Sequence, residues 1–217
     1  MSPDTIQNAV LAFPIFLFSL VFHEYAHALA GTRLGDDTAR LMGRLTLHPG
    51  PHVDPLGTVI FPLVGLLTGG FVFGWARPVP FSPHRLRHPL RDAAIIAGAG
   101  PLSNVLLALC AVAALKPLQL ASVFLPGPVG AALVAMGILT IQINVLLAWF
   151  NLLPLPPLDG SKVVAFFLPP SLRDTMWAAQ SFGALPLLLL FMVPGISAVL
   201  LAPARLLTGL LVRAAIG

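Results

Sequence analysis

Long apolar stretches separated by short proline-, glycine- and arginine-bearing ones run the length of this 217-residue chain. The first covers Ile6 to Ala30, enough to cross about 30 Å of hydrocarbon as a helix. It does not read as a cleavable leader: the first cation is Arg33, and the run carries His23, Glu24 and His27. The second run, Asp54 to Gly74, is interrupted by Pro62, Gly65, Gly69 and Gly70. A third spans Asp92 to Leu115 and a fourth Val129 to Leu153. The last, Met176 to Val212, breaks at Pro194-Gly195 and predicts two further spans. Two short segments carry a strand pattern instead. Gly43 to His48 alternates polar and apolar residues, and Gly70 to Trp75 is rich in β-formers bounded by glycines. An open strand edge in lipid is too costly, so such strands would face a cavity or a partner peptide. There is no internal repeat and no low-complexity tract.

Composition narrows the class. The chain is 57% apolar and 9% charged, against about 25% charged in an ordinary soluble domain. Twenty charged side chains cannot cover a water-soluble protein of this size. A free cytosolic globule, a disordered chain and a nucleic-acid reader are therefore excluded. The net charge of +4 does not restore the last, because the basic residues form no continuous stripe. One cysteine excludes a disulfide scaffold and a cysteine-rich metal site.

The chain thus reads as an all-α polytopic membrane protein. Its arginines set the orientation. Arg33, Arg40 and Arg44 follow the first run, and Arg77, Arg85, Arg87 and Arg91 follow the second. If the second run dips in and returns, both clusters lie on the cytoplasmic side with most of the twelve cations. The expectation is five crossings with the N-terminus outside, plus a re-entrant, partly β segment near residues 44–80. If residues 54–74 cross instead, there are six.

The chemistry gathers at His23-Glu24-Tyr25-Ala26-His27, an H-E-x-x-H pattern inside a helical span. Residues four apart share a helix face, so both imidazoles can reach one ion. Glu24 is within reach of a water at that ion and can take its proton without binding the metal. Zinc suits the set, because it accepts histidine nitrogen and carboxylate oxygen and brings a bound water's pKa to about 7. With six histidines and eight acids in the chain, chance supplies such a pattern about 0.6% of the time. The alternative, three polar residues packed between helices, is weak because ionisable groups in a span are costly.

A catalytic zinc takes three protein ligands and keeps one position open. The acids available besides Glu24 are Asp4, Asp36, Asp37, Asp54, Asp92, Asp159 and Asp174. Asp36 and Asp37 read as solvated loop residues, and Asp92 and Asp174 as helix N-caps. Asp54 is plausible but precedes Pro55. Asp159 follows Asn151-Leu152-Leu153-Pro154-Leu155-Pro156-Pro157-Leu158 and precedes Gly160, which suggests unwound chain presenting one carboxylate at membrane depth. The first helix, ending near Ala30, would place His27 and His23 about 5 and 10 Å inside that end. The fourth run travels in the same direction, so Asp159 emerges at the same side. His48 and His52 are also four apart, but Pro49, Gly50 and Pro51 forbid a helix between them. A turn at the membrane interface is the better reading there. Trp75, Trp149 and Trp177 fit interfacial anchors.

These features resemble the site-2 protease family of intramembrane zinc metalloproteases, in the small form without PDZ or CBS domain. Three blocks carry the likeness: His23 to His27, Gly98-Ala99-Gly100-Pro101-Leu102-Ser103-Asn104, and Asn151 to Gly160. The tract Gly74-Trp75-Ala76-Arg77-Pro78-Val79-Pro80 is similar to the small bacterial and archaeal members. The resemblance implies zinc held by His23, His27 and Asp159, with Glu24 as general base and then acid. It also implies that Asn151 helps hold substrate or the developing oxyanion. The whole chain, 1–217, would be one membrane-embedded protease domain, with its core in 5–165 and C-terminal helices in 176–213. The implied setting is a prokaryotic cell membrane, with the active site toward the cytoplasm and transmembrane proteins as substrates. A helical substrate would have to unwind, and the re-entrant strands could receive it by strand addition. Two other readings stay open: a metal-ion transporter with an ion at mid-depth, and a zinc-binding membrane protein without proteolytic activity.

Overall fold

The computed structural model describes residues 3–68, 74–183, 185–193 and 195–216. Helix α1, Pro3–Arg33, continues through Pro14 and ends with Arg33 in its last turn. A short α2, Thr38–Leu41, follows. A π-helical turn, Pro55–Ile60, leads directly into α3, Phe61–Thr68. Helices α4, Pro89–Ser122, and α5, Gly127–Leu152, form the long central hairpin. Then come α6, Asp159–Ala165, α7, Pro170–Gln180, α8, Leu185–Met192, and α9, Ile196–Ile216.

Among the described residues, four helices are long and apolar enough to cross a membrane: α1 over Val10–Arg33, α4, α5 and α9. That is one fewer than the five expected crossings. The last apolar stretch does break near Pro194, but α8 has eight residues and rises about 12 Å, too little to span hydrocarbon by itself. Helix α4 is the hub and packs against α1, α5, α6 and α9. The core joins Ala108, Ala111 and Leu115 of α4 to Ile141 and Val145 of α5 and to Ala204 and Ala215 of α9. Four of these seven are alanine, and such small residues let helices approach where lipid offers no hydrophobic drive. Trp149 is half-buried, and its Nε1 donates to Leu200 O at 2.8 Å, pinning α5 to α9.

The expected strands are not found among the described residues. Gly43 to His48 forms turns and bends, with Gly43 at φ 68°. The chain turns back on the end of α2, with Gly43 N–H donating to Arg40 O and Arg44 N–H to Ala39 O. His48 N–H donates to Thr46 Oγ1, Gly50 N–H to His48 Nδ1, and the Arg44 guanidinium to Pro51 O and Arg77 O. Most of the other expected strand, 70–75, lies outside the described residues.

Residues 74–82 form an extended strap whose amides are tied to three other parts of the chain. Trp75 N–H donates to Gly57 O at 3.0 Å and Arg77 N–H to His52 O at 2.9 Å. Val79 N–H donates to Glu24 Oε2 at 3.1 Å, and Ser82 N–H to Asp36 Oδ2. By Trp75 the chain is therefore back beside Gly57, where the π turn begins. Gly57 and Gly74 both sit at this crossing: a Cβ on Gly57 would strike the Trp75 ring, and one on Gly74 would strike Gly57 O and Pro62.

Asp36 overturns its reading as a solvated loop residue, for it is 1% exposed. Its carboxylate accepts from Thr38 N–H at 3.0 Å, from Thr38 Oγ1 and from Ser82 N–H. Burial pulls its pKa up, but these hydrogen bonds and the Arg85 charge outweigh that and hold it below the usual carboxylate range. Asp92 is not the N-cap of α4, a position held by His88, but sits buried in the first turn and accepts His88 N–H at 2.9 Å. Asp174 lies inside α7 rather than capping it.

Candidate metal centre

His23 and His27 sit one turn apart on the face of α1 that meets α4. Their buried rings meet edge to face, with centroids 4.6 Å apart. Asp159 opens α6, where Gly160 lets that helix lie hard against the end of α5: a Cβ at Gly160 would strike the carbonyls of Leu152 and Leu153. The result brings together three groups separated by as much as 136 positions in the chain. His23 Nε2 lies 3.0 Å from His27 Nε2, and each is 3.1 Å from Asp159 Oδ2. They form the one set of three or more His, Cys, Asp or Glu side chains among the described residues that could hold a metal ion.

The other ring nitrogens decide what this triangle is. His27 Nδ1 lies 2.6 Å from Ile96 O, a backbone carbonyl that can only accept, so Nδ1 carries the hydrogen. His23 Nδ1 lies 2.6 Å from Asn104 Oδ1 and donates to it. In the neutral rings both Nε2 atoms are then bare. Two nitrogen lone pairs and a carboxylate oxygen converge with no hydrogen among them, which is unfavourable unless a cation stands between. The spacing suits one: ligands about 2.0 Å from a tetrahedral zinc lie about 3.3 Å from each other. The residues present therefore fit zinc. Gly100 completes the fit, since a Cβ on it would lie on His27 Nε2 and His23 Nε2. Only glycine lets α4 approach the pair so closely.

The triangle forms part of the wall of a cavity of about 310 Å³. Glu24, Asn151 and Lys162 also line it, with strap residues Trp75, Pro78 and Val79 on another side. Glu24 is 8% exposed and is held by the Val79 amide. Because Pro78 and Pro80 have no N–H, Val79 is the sole amide donor between Arg77 and Phe81. Lys162 Nζ lies 3.5 Å from Asp159 Oδ1, the carboxylate oxygen turned away from the histidines. Asn151 is half-buried and its amide nitrogen donates to Leu147 O at 3.0 Å. His52 is buried elsewhere, with its Nε2 against Thr46 O at 3.0 Å, and His48 is exposed; neither joins this centre.

The structure thus brings His23, Glu24, His27, Asn151 and Asp159 to one cavity. Sequence reasoning assigned no part to Gly100, Val79, Lys162, Asn104 or Asn144. The two asparagines had a readable signal, since an amide inside a transmembrane run needs a partner. The Val79 amide had none, because no side chain announces it.

The chain is 38% identical over 178 residues, 82% of its own length and 78% of the other's, to a Bacillus subtilis (strain 168) protein with the provisional name zinc metalloprotease YwhC. It is 28% identical over 190 residues, 87% of this chain and 69% of the relative, to a Mycolicibacterium smegmatis protein provisionally named zinc metalloprotease Rip2. A shorter stretch of 69 residues, 32% of this chain and 31% of the other, is 45% identical to the similarly named MJ0611 of Methanocaldococcus jannaschii. No protein-family model and no solved structure matches the chain.

Proposed function

We propose a division of labour among the residues of this chain, which belongs to the site-2 protease family of intramembrane zinc metalloproteases and cleaves peptide bonds within or next to transmembrane segments. His23 and His27 through Nε2, and Asp159 through Oδ2, would hold the zinc. The bound ion would polarise the scissile carbonyl and acidify a water. Glu24 takes the proton from the attacking water and returns it to the leaving amine. Val79 N–H keeps the Glu24 carboxylate facing the cavity. Lys162 occupies Asp159 Oδ1, so that the carboxylate offers one oxygen and not two. Asn151, on the cavity wall, is the donor for the substrate carbonyl as negative charge develops there.

The observation that carries this reading is the triangle of three hydrogen-free acceptors, 3.0–3.1 Å apart, opening on the cavity that Glu24 also lines. We further propose that the chain near residues 44–80 enters the membrane and returns to the same side. The return of Trp75 to Gly57 supports this, as does the level of α1 and α4, where His27 near the end of one meets Ile96 near the start of the other. Both arginine-bearing segments then lie at the cytoplasmic face of a prokaryotic cell membrane, and water reaches the cavity from that side. Residues 1–217 act as one domain, and the substrates are transmembrane proteins whose helices must unwind before attack.

Replacing Glu24 by Gln tests the assignment. The variant should hold zinc at wild-type stoichiometry and cleave a single-span reporter in proteoliposomes about 10²–10⁴-fold more slowly. Cleavage at the wild-type rate would remove Glu24 from the mechanism.

A further inference from the structure

Beyond the His23 ring, on its Nδ1 side, a row of buried polar groups runs through three helices. Asn104 of α4 and Asn144 of α5 are both 0% exposed. Each amide has a donating end and an accepting end, and its partners decide which way round it sits. Thr140 O, a backbone carbonyl, lies 2.9 Å from the amide nitrogen of Asn144 and can only accept. The same nitrogen donates to Ser19 Oγ at 2.9 Å. Asn144 Oδ1 is thereby turned to Asn104, whose Nδ2 donates to it at 2.9 Å and to Ser19 O at 3.3 Å. That leaves Asn104 Oδ1 facing His23 Nδ1 at 2.6 Å. Every link from Thr140 O to His23 has one direction, and two backbone carbonyls fix it.

We propose that Asn144 and Asn104 form a positioning relay that keeps the hydrogen of His23 on Nδ1 and so keeps Nε2 bare for the metal. The proposal rests on the reading of His23 as a zinc ligand. Asn104 sets the ring, and Asn144 sets Asn104 from a helix that contributes no ligand in that reading. His27 reaches the same tautomer in one step, through Ile96 O. The two ligand histidines are thus fixed by different means. One depends on a carbonyl of α4, and the other on α1, α4 and α5 being docked together.

The test uses the full chain in detergent. Zinc affinity is measured by chelator competition, unfolding temperature is taken on the zinc-free protein, and the His23 tautomer is read from ¹⁵N-histidine spectra. Asn104→Leu should weaken zinc binding about 10–100-fold, the range for losing the outer partner of a metal-bound histidine. Asn144→Leu should fall at the lower end of that range. Asn104→Asp keeps the acceptor for His23 while losing both donated bonds. It should unfold at lower temperature yet hold zinc within about threefold of the wild type, with the His23 hydrogen still on Nδ1. Zinc affinity that follows stability across the series, with Asn104→Asp as weak as Asn104→Leu, would overturn the relay. His23→Ala separates the two levels of the argument. If it releases zinc while Asn104→Leu binds normally, the relay alone is wrong; if it retains zinc, the ligand assignment fails and the relay with it.

Discussion

One added methyl group, at Gly100, should empty the metal centre of an otherwise folded protein. A Cβ at this position would lie on the metal-facing nitrogens of both His27 and His23. Non-bonded heavy atoms settle at about 3.5–4.0 Å, so one side must give by about 1 Å. The α4 backbone is poorly placed to do so, because Ile96, Ala97, Ser103 and Asn104 on either side are all buried. The imidazoles would have to swing, against the bonds from His27 to Ile96 O and from His23 to Asn104. A shift of that size is half the length of a zinc–nitrogen bond of about 2.0 Å, and coordination would be lost. Overpacking of this kind costs about 1–3 kcal/mol, offset by up to about 1 kcal/mol from the better helix propensity of alanine. That is less than the 5–15 kcal/mol of a typical domain, so the variant should fold. Its zinc dissociation constant should rise on the order of 100-fold or more, and reporter cleavage should fall in step. Gly98→Ala is the matched control, since its Cβ would meet Val163 Cγ2 at an ordinary 4.0 Å. It should bind zinc and cut like the wild type. Elemental analysis after desalting, chelator competition and cleavage of a single-span reporter would read both. Stoichiometric zinc at wild-type affinity in Gly100→Ala, or equal losses in the two variants, would refute the reasoning.

Three other outcomes are expected. Val79→Pro removes the one amide held by Glu24 and should lower cleavage at least about tenfold, the loss of a hydrogen bond to a charged group, with zinc content unchanged; loss of zinc would show that the strap supports the ligands instead. The Asp36 carboxyl lies below its ordinary pKa in the fold, so its contribution is complete above the unfolded value of about 3.9 and disappears as pH falls through the lower folded value. Protection of the amides in residues 77–85, taken as exchange relative to the intrinsic rate at each pH, should therefore fall in acid, and Asp36→Asn should show the low protection already at neutral pH, with little further change on acidification. Stripping zinc should lower the unfolding temperature reversibly, because zinc at 100 times its dissociation constant stabilises the folded state by about 2.7 kcal/mol; an unchanged melt would contradict binding at a centre built from three helices.

The grouping of the candidate site residues was legible because chemistry and spacing agree. His23, Glu24 and His27 fall on one helical turn, and Asp159 is the acid that follows a long run and a proline-rich break. The four long helices were legible for the same reason, being near-continuous apolar runs, although α4 continues to Ser122, well past the expected end at Leu115. What sequence pattern could not give was the use of backbone groups. Alternation in Gly43 to His48 looks like strand, but strand needs a neighbour, and here the chain turns off the end of α2 instead, with Gly43 and Arg44 N–H donating back to Arg40 O and Ala39 O. Asp36 reads as solvated because polarity alone suggests a surface. Its burial follows from Ser82, 46 positions away, whose amide it accepts. The strap on Glu24 is invisible for the same reason, since a main-chain donor carries no letter. Gly100 is visible as a glycine but not as a contact, because its value lies in the helix facing it.

The 136 positions between His23 and Asp159 also bear on how a cell makes this enzyme. A ribosome adding about 5–20 residues per second needs on the order of ten seconds to travel from one to the other. Through that interval the nascent polypeptide already displays both imidazoles and Glu24 in the bilayer, but lacks the carboxylate that closes the centre. Cutting power thus cannot arise until Asp159 has been made and has reached the two imidazoles already in place.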